Sequence, residues 1–391
     1  MLISRKTIQL FIATIFAVLP VVTFANADAS HVAKPAHSEV VNHEGTTTKE
    51  VVSEEMKAQE ERAEFIQHHL LDSHDFHLFS YGKVSGHETH IGFPLPVILW
   101  EDGLHFFMSS EFHHGEPEPV AESNGKYFAI NHHDGMIYNT DAKGTFNVDE
   151  KHHTTNTKPI DFSITKSIVM ILIVALLMFM IFRNLGRSYT KNGGIATGVG
   201  RFFEPLVLYI RDEIAIPNIG EKHYKKYMSH LLTVFFFIWF LNMFGLTPLG
   251  VNVTGNIAIT ASLAIITYLI TTFTANGNYW GHIFWMPGVP VPMKIILAPI
   301  EFLGTIIKPF SLMIRLYANM LAGHVVLMSI IALMYTFSSP IGSPLSFVLA
   351  FVLSILEILV ALLQAYIFTM LTALYFGAAK EEHHHDEEAH H

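Results

Sequence analysis

The chain has 391 residues, half of them hydrophobic and only 15% charged, with a formal net charge of -10 when histidine is counted as neutral. That is too apolar for an ordinary soluble protein of this length and points to a membrane class. No basic excess marks a nucleic-acid partner, and the absence of cysteine removes disulfides, thiolate nucleophiles and Cys-ligated zinc. Any metal would have to be held by His and carboxylates, and the 25 histidines leave the true charge sensitive to pH between roughly 5 and 8.

Residues 1–27 read as a signal peptide. Arg5 and Lys6 precede an apolar run from Ile8 to Val22, and Ala25-Asn26-Ala27 supplies the small residues that signal peptidase accepts. A run of about 15 residues falls short of the roughly 20 that a span needs, although a retained N-terminal helix is the alternative. Cleavage would start the mature chain near Asp28, outside the cytoplasm.

Residues 28–160 form a His-rich extracytoplasmic region; from Asp28 to Asp161 the chain carries 16 of the 25 histidines. Residues 28–66, rich in Glu, Lys, Ala and Thr, are expected to be mobile or a surface helix. Beyond them, His77 to Tyr81, Pro94 to Trp100, His105 to Ser109 and Tyr127 to Asn131 are β-like and broken by Gly, Asn and Asp, which predicts a small β-rich domain. The histidine pairs 68/69, 113/114, 132/133 and 152/153 lack the helix-spaced H-E-x-x-H of a metalloprotease and are read as solvated side chains rather than a metal site. The acidic, His-rich tail 381–391 is read the same way.

Residues 161–380 form the membrane domain. Ile164 to Phe182 is long enough to span, and a basic stretch follows with Arg183, Arg187, Lys191, Arg201, Arg211, Lys222, Lys225 and Lys226, which places that loop in the cytoplasm. Within it, Phe202, Phe203, Leu206, Leu208, Tyr209, Ile210, Ile214 and Ile216 alternate with charges, the pattern of a membrane-surface helix. His230 to Leu246 returns outward and Ile257 to Phe273 goes back in. Lys294 to Tyr335 and Leu345 to Phe376 are longer, about 63 and 48 Å as straight helices. A hydrocarbon core of about 30 Å requires each to tilt, bend or break. Gly342-Ser343-Pro344 marks a turn between them. The fold class is thus an all-α polytopic membrane protein of about five transmembrane helices. It includes a long tilted C-terminal helical hairpin and a membrane-surface helix, after an N-terminal region of β-rich character.

Between Pro309 and Ala379 the strongly ionisable side chains are Arg315, His324 and Glu357. A charge at the bilayer centre costs about 2.5 to 3.5 kcal/mol on insertion scales, so such residues mark an ion path or a partner charge. At 100° per residue, Glu301, Gly304, Lys308, Ser311, Arg315, Asn319 and Ala322 fall within roughly 40° of one line. Glu357, Ala361 and Gln364 make a second stripe, and His324 points about 180° from Arg315. Two separate polar routes divided by a helix would need this arrangement; a buried Arg315–Glu357 ion pair beside a core histidine would give the same composition.

The run Pro309-Phe-Ser-Leu-Met-Ile-Arg-Leu-Tyr-Ala-Asn-Met-Leu-Ala-Gly-His324 resembles the most diagnostic segment of the ATP synthase subunit a family. Glu357 to Tyr375, with Leu-Gln-Ala-Tyr-Ile-Phe at its core, is similar to that family's last helix, and Trp239-Phe-Leu-Asn-Met-Phe-Gly-Leu-Thr-Pro248 to the end of an earlier span. The likeness covers about residues 160 to 382. It implies a non-catalytic, proton-translocating stator subunit of an F-type ATP synthase in a bacterial inner membrane, without a cofactor. Its implied partners are the c-ring, a subunit b stator, the rest of the complex and the lipid bilayer.

On that resemblance Arg315 is the essential arginine facing the ring carboxylate. Asn319, His324, Glu357 and Gln364 line the half-channel that opens away from the cytoplasm, and Glu301 and Ser311 belong to the cytoplasmic one. The chain departs from some bacterial members in exchanging His and Glu between 324 and 357, and in having Gly245 and Gly250 where those members carry carboxylates. The chief alternative is a secondary transporter or ion channel using the same charges, although no internal repeat supports it. An intramembrane or extracytoplasmic metalloenzyme lacks a ligand motif with its base, and the stripe at 301–364 speaks against an anchored metal-binding protein.

Overall fold

A computed structural model of the chain describes residues 72, 74–81, 89–112, 120–131, 134–149, 154–191, 193, 198–247, 251–286, 289–336 and 342–380. The signal peptide, the segment 28–66, the four histidine pairs and the 381–391 tail lie outside them.

The first part is β-structure, as the Gly- and Asn-punctuated segments predict. Strands β1 (Asp75–Tyr81) and β2 (Thr89–Pro94) form an antiparallel hairpin. Strands β3 (Pro96–Trp100), β4 (Leu104–Met108) and β8 (Ile160–Asp161) make one antiparallel sheet in the order β4-β3-β8. A second sheet runs β5 (Val120–Ser123), β6 (Lys126–Ile130) and β7 (Ile137–Thr140) in sequence order. The β5–β6 turn is Asn124-Gly125 with φ of 53° and 76°, the left-handed pair that a two-residue hairpin requires. Alternation turns Val97, Leu99 and Phe107 of the first sheet inward, where they meet Ala121, Phe128 and Ile137 of the second in one core. Phe107 stacks on Phe128 with ring centroids 6.1 Å apart.

Helix α1 (Lys166–Lys191) leaves this domain through a tight junction. The Asp72 carboxylate accepts hydrogen bonds from the Thr165 hydroxyl (2.9 Å) and the Ser167 amide (3.2 Å), placing an acceptor at the helix N-terminus, where free N–H groups and the helix dipole favour it. His74 Nε2 lies 2.8 Å from Asp161 Oδ2, and the Ser163 amide donates to the other oxygen at 2.7 Å. Burial works to raise the Asp161 carboxyl, but these bonds outweigh it and hold the group below its ordinary range.

The membrane part has α2 (Val199–Tyr209), α3 (Tyr224–Gly245), α4 (Ile257–Thr274), the short α5 (Gly277–Phe284), α6 (Val291–Thr336) and α7 (Gly342–Lys380). Among the described residues, five helices (α1, α3, α4, α6 and α7) are long and apolar enough to cross a bilayer. At 46 and 39 residues, α6 and α7 run unbroken for about 69 and 58 Å, twice the hydrocarbon thickness, so the expected long hairpin is present and neither arm divides into two helices. Gly342-Ser343-Pro344 does not form the turn itself. It opens α7, where the missing proline N–H would be unpaired in any case.

The amphipathic segment differs from a simple surface helix. Beyond α2 the chain makes a π-helical turn (Ile210–Ala215) and a last α turn (Ile216–Ile219). Ile210, Ile214, Ala215 and Ile219 are buried in the common core, while Phe202, Leu208 and Tyr209 stay exposed. Helix α7 packs against this last turn, α3 and α6. Tyr227 stacks on Phe376 at 4.4 Å and donates to Thr274 at 2.8 Å. In α4, Ser262, Thr271 and Thr274 bond carbonyls four residues back, satisfying hydroxyls that lipid could not.

Gly377 is where α7 meets the connector most closely, since a Cβ there would collide with the Asn218 carbonyl, a backbone atom that cannot swing aside. Gly377→Ala is therefore expected to cost about 1–3 kcal/mol and to lower the thermal midpoint in detergent. Gly281→Ala, which meets open space, should leave the midpoint unchanged or raise it.

Candidate functional site

The site is built on the two faces of α6. Along one face Leu312, Leu316, Met320 and His324, spaced four residues apart, are buried. Along the other, Ser311, Ala318, Asn319 and Ala322 are exposed, with Arg315 half-buried among them. Among the described residues Arg315 makes no ion pair, so the predicted alternative of an Arg315–Glu357 bridge is not adopted. Its charge does reach Tyr375, whose ring also carries the Lys308 ammonium 5.6 Å from its centroid.

His324 is 3% exposed, and its Nε2 lies 3.2 Å from the carbonyl oxygen of Gly245. Gly245 closes α3, so its carbonyl has no partner in its own helix and the imidazole N–H donates to it. That bond leaves Nδ1 as the free ring nitrogen, and this atom is buried without a partner. The Glu357 carboxylate of α7 lies over Gly323, the residue before His324, closely enough that a Cβ there would clash with it. Its Oε2 is likewise buried and unpartnered.

A third such atom is Nδ2 of Asn242, one turn before Gly245 on α3; its Oδ1 accepts from Thr254 at 2.6 Å. Three helices thus bring unpaired polar atoms into one apolar bundle, each costing about 1–3 kcal/mol unless water or a proton carrier meets it. Gln364, two turns along α7 from Glu357, is buried as well, as is the intervening Ala361. Sequence alone assigns no role to Asn242 and Thr254. Their signal was a lone Asn inside the apolar run Trp239 to Gly245.

Toward the other end of α6, a small, mostly apolar cavity of about 20 Å³ is lined by Ala264, Thr267, Tyr279, Lys308, Leu312 and Tyr375 among others. Glu301 is half-buried and its charge reaches Tyr279. Burial, helped by Tyr268 and Glu301, raises that phenol above its ordinary value. The structure therefore sets Arg315, Ser311 and Asn319 on the open face, His324, Glu357 and Gln364 toward the interior, and Glu301 within electrostatic reach of Tyr279 at the edge of that cavity. Among the described residues no group of three His, Asp or Glu side chains converges as a metal site would require.

Comparison with known proteins gives two family matches. Residues 168–377 match the ATP synthase A chain family, and residues 65–162 match a domain of unknown function, DUF8433. Among individual relatives, ATP synthase subunit a of Anaeromyxobacter dehalogenans (strain 2CP-C) is 37% identical over 256 residues, 63% of this chain and 65% of the relative. The subunit a of Chloroherpeton thalassium is 40% identical over 238 residues, 59% of this chain and 70% of its own length. ATP synthase subunit a 2 of Chlorobaculum tepidum is 42% identical over 227 residues, 56% of this chain and 64% of that protein. The chain thus spans about two thirds of the length of these relatives.

Proposed function

The chain belongs to the ATP synthase A chain family, and from that premise we propose that it is the proton-conducting stator subunit of a rotary F-type ATP synthase. It catalyses no bond chemistry itself. It works against a ring of carboxylate-bearing c subunits, anchored by a subunit b stator. Residues 161–380 are its membrane unit and residues 28–160 lie outside the cytoplasm of a bacterial inner membrane. The cluster of Lys and Arg between 183 and 226 supports that orientation.

The observation that carries this reading is Arg315: a permanent cation on a membrane-length helix, with no ion pair among the described residues and on a face the chain leaves open. A guanidinium stays protonated where an ammonium could lose its charge, and in lipid it requires an acid opposite it. A ring carboxylate arriving there ionised is attracted and held; one that is neutralised can turn into hydrocarbon at far lower cost. The proton comes from outside by way of Asn319, His324, Glu357 and Gln364. After nearly a full turn of the ring it leaves near Ser311 and Glu301. On α6 Arg315 stands one turn from Ser311 and one turn from Asn319, between the two routes, and the transmembrane potential contributes about 2.3 kcal/mol per charge per 100 mV.

Arg315→Ala is expected to abolish ATP-driven proton pumping in membrane vesicles while the complex still assembles, and wild-type pumping by that variant would refute the assignment. Gly323→Ala removes no titratable group but pushes the Glu357 carboxylate aside. Slower proton flux is expected in the same quenching assay, and an unchanged rate would take the Gly323–Glu357 contact out of the path.

A further inference from the structure

The two sheets of the β domain treat their outer faces differently. Outside β5-β6-β7, the loop after β7 folds back: Phe146 meets Tyr138 edge-on at 6.2 Å, and the Asn139 amide donates to Thr157 at 3.0 Å, so Tyr138 is 9% exposed. Outside β4-β3-β8 the row runs Trp100, Leu104, Phe106, Ile160 and Phe162, which are 54%, 57%, 62%, 48% and 38% exposed. The register makes this one surface, because Trp100 pairs with both Leu104 and Ile160, Ile98 pairs with Phe106, and the Phe162 amide bonds the Ile98 carbonyl. A contiguous apolar face with two Phe and a Trp is more than the scattered exposure normal for a protein surface.

What lies against this face is limited by where the sheet is tied. The Ile164 amide donates to the Pro96 carbonyl at 3.1 Å, and Asp72 and Asp161 fasten the same junction, so β3 is hydrogen-bonded to a residue two positions ahead of the first span. Phe162 is four residues from Lys166, at most about 13 Å of extended chain. Helix α1 is itself longer than a hydrocarbon core of about 30 Å, and each headgroup layer adds roughly 5 to 7 Å, so the sheet is held at headgroup level. Trp and Phe carried on an apolar surface at that depth are the side chains an interface favours.

We propose that the outer face of β4-β3-β8 rests on the lipid headgroup and upper acyl region beside α1, making the β domain a membrane-seated platform. The absence of cysteine makes a direct test possible. Phe106→Cys, and separately Trp100→Cys in case one variant folds poorly, would carry an environment-sensitive fluorophore on the full chain in liposomes. Glu122→Cys, exposed on the other sheet, is the control. Lipids brominated high on the acyl chain should remove most of the fluorescence at 106 or 100 and little at 122, with iodide in the water doing the reverse. Labels at 106 and 100 that iodide quenches freely and brominated lipid does not would overturn the proposal. So would shelter that appears only once the other subunits are added, which would give the face to a protein partner.

Discussion

A guanidinium cannot be left alone in hydrocarbon, and the membrane part of this protein is arranged around that constraint. Arg315 stands on α6 without an ion pair among the described residues, beside small or short polar neighbours, Ser311, Ala318, Asn319 and Ala322, that keep the surface low around it. A short border lets another helix approach closely, and a charge with no partner at home makes that approach favourable. The reading as a stator subunit follows from those two properties together with membership of the ATP synthase A chain family.

The buried side of the same helix obeys a different rule. There α4, α7 and the short turn Val253–Gly255 pack on α6, Leu312, Leu316 and Met320 are buried, and the polar atoms admitted are few. His324 meets a carbonyl made available by the end of α3, while Asn242, His324 and Glu357 each keep one atom unsatisfied. In an ordinary core such atoms would be a loss with no return. Along a proton route they are places where water or a transferred proton can bind.

Much of this was legible in the residues. Long apolar runs mark all five membrane-length helices, and 100° periodicity alone puts Arg315 and His324 on opposite faces. What could not be read was what tertiary contact decides. The amphipathic stretch after α2 has the composition of a surface helix, yet Ile210 and Ile214 of the π turn and Ile219 of the turn after it are buried in the core, and Gly377 of α7 lets the connector approach at Asn218. Gly342-Ser343-Pro344 has the composition of a turn, and only the place of Pro344 in the first turn of α7 shows the other use of proline, as a helix opener. Asn242 was hidden by its apolar neighbours, since nothing in one strand of sequence says that an amide will meet Thr254.

The most direct measurement is disulfide trapping in the assembled complex. A cysteine is placed at Asn319 or Ala318, on the face that carries Arg315, and a second on the c subunit beside its membrane carboxylate, with buried Leu316→Cys as the control. Oxidation is expected to join the two chains from 319 or 318 and not from 316, and to stop ATP-driven pumping until the bond is reduced. A complex that hydrolyses ATP normally yet forms no crosslink from either open-face position would mean that Arg315 does not face the ring.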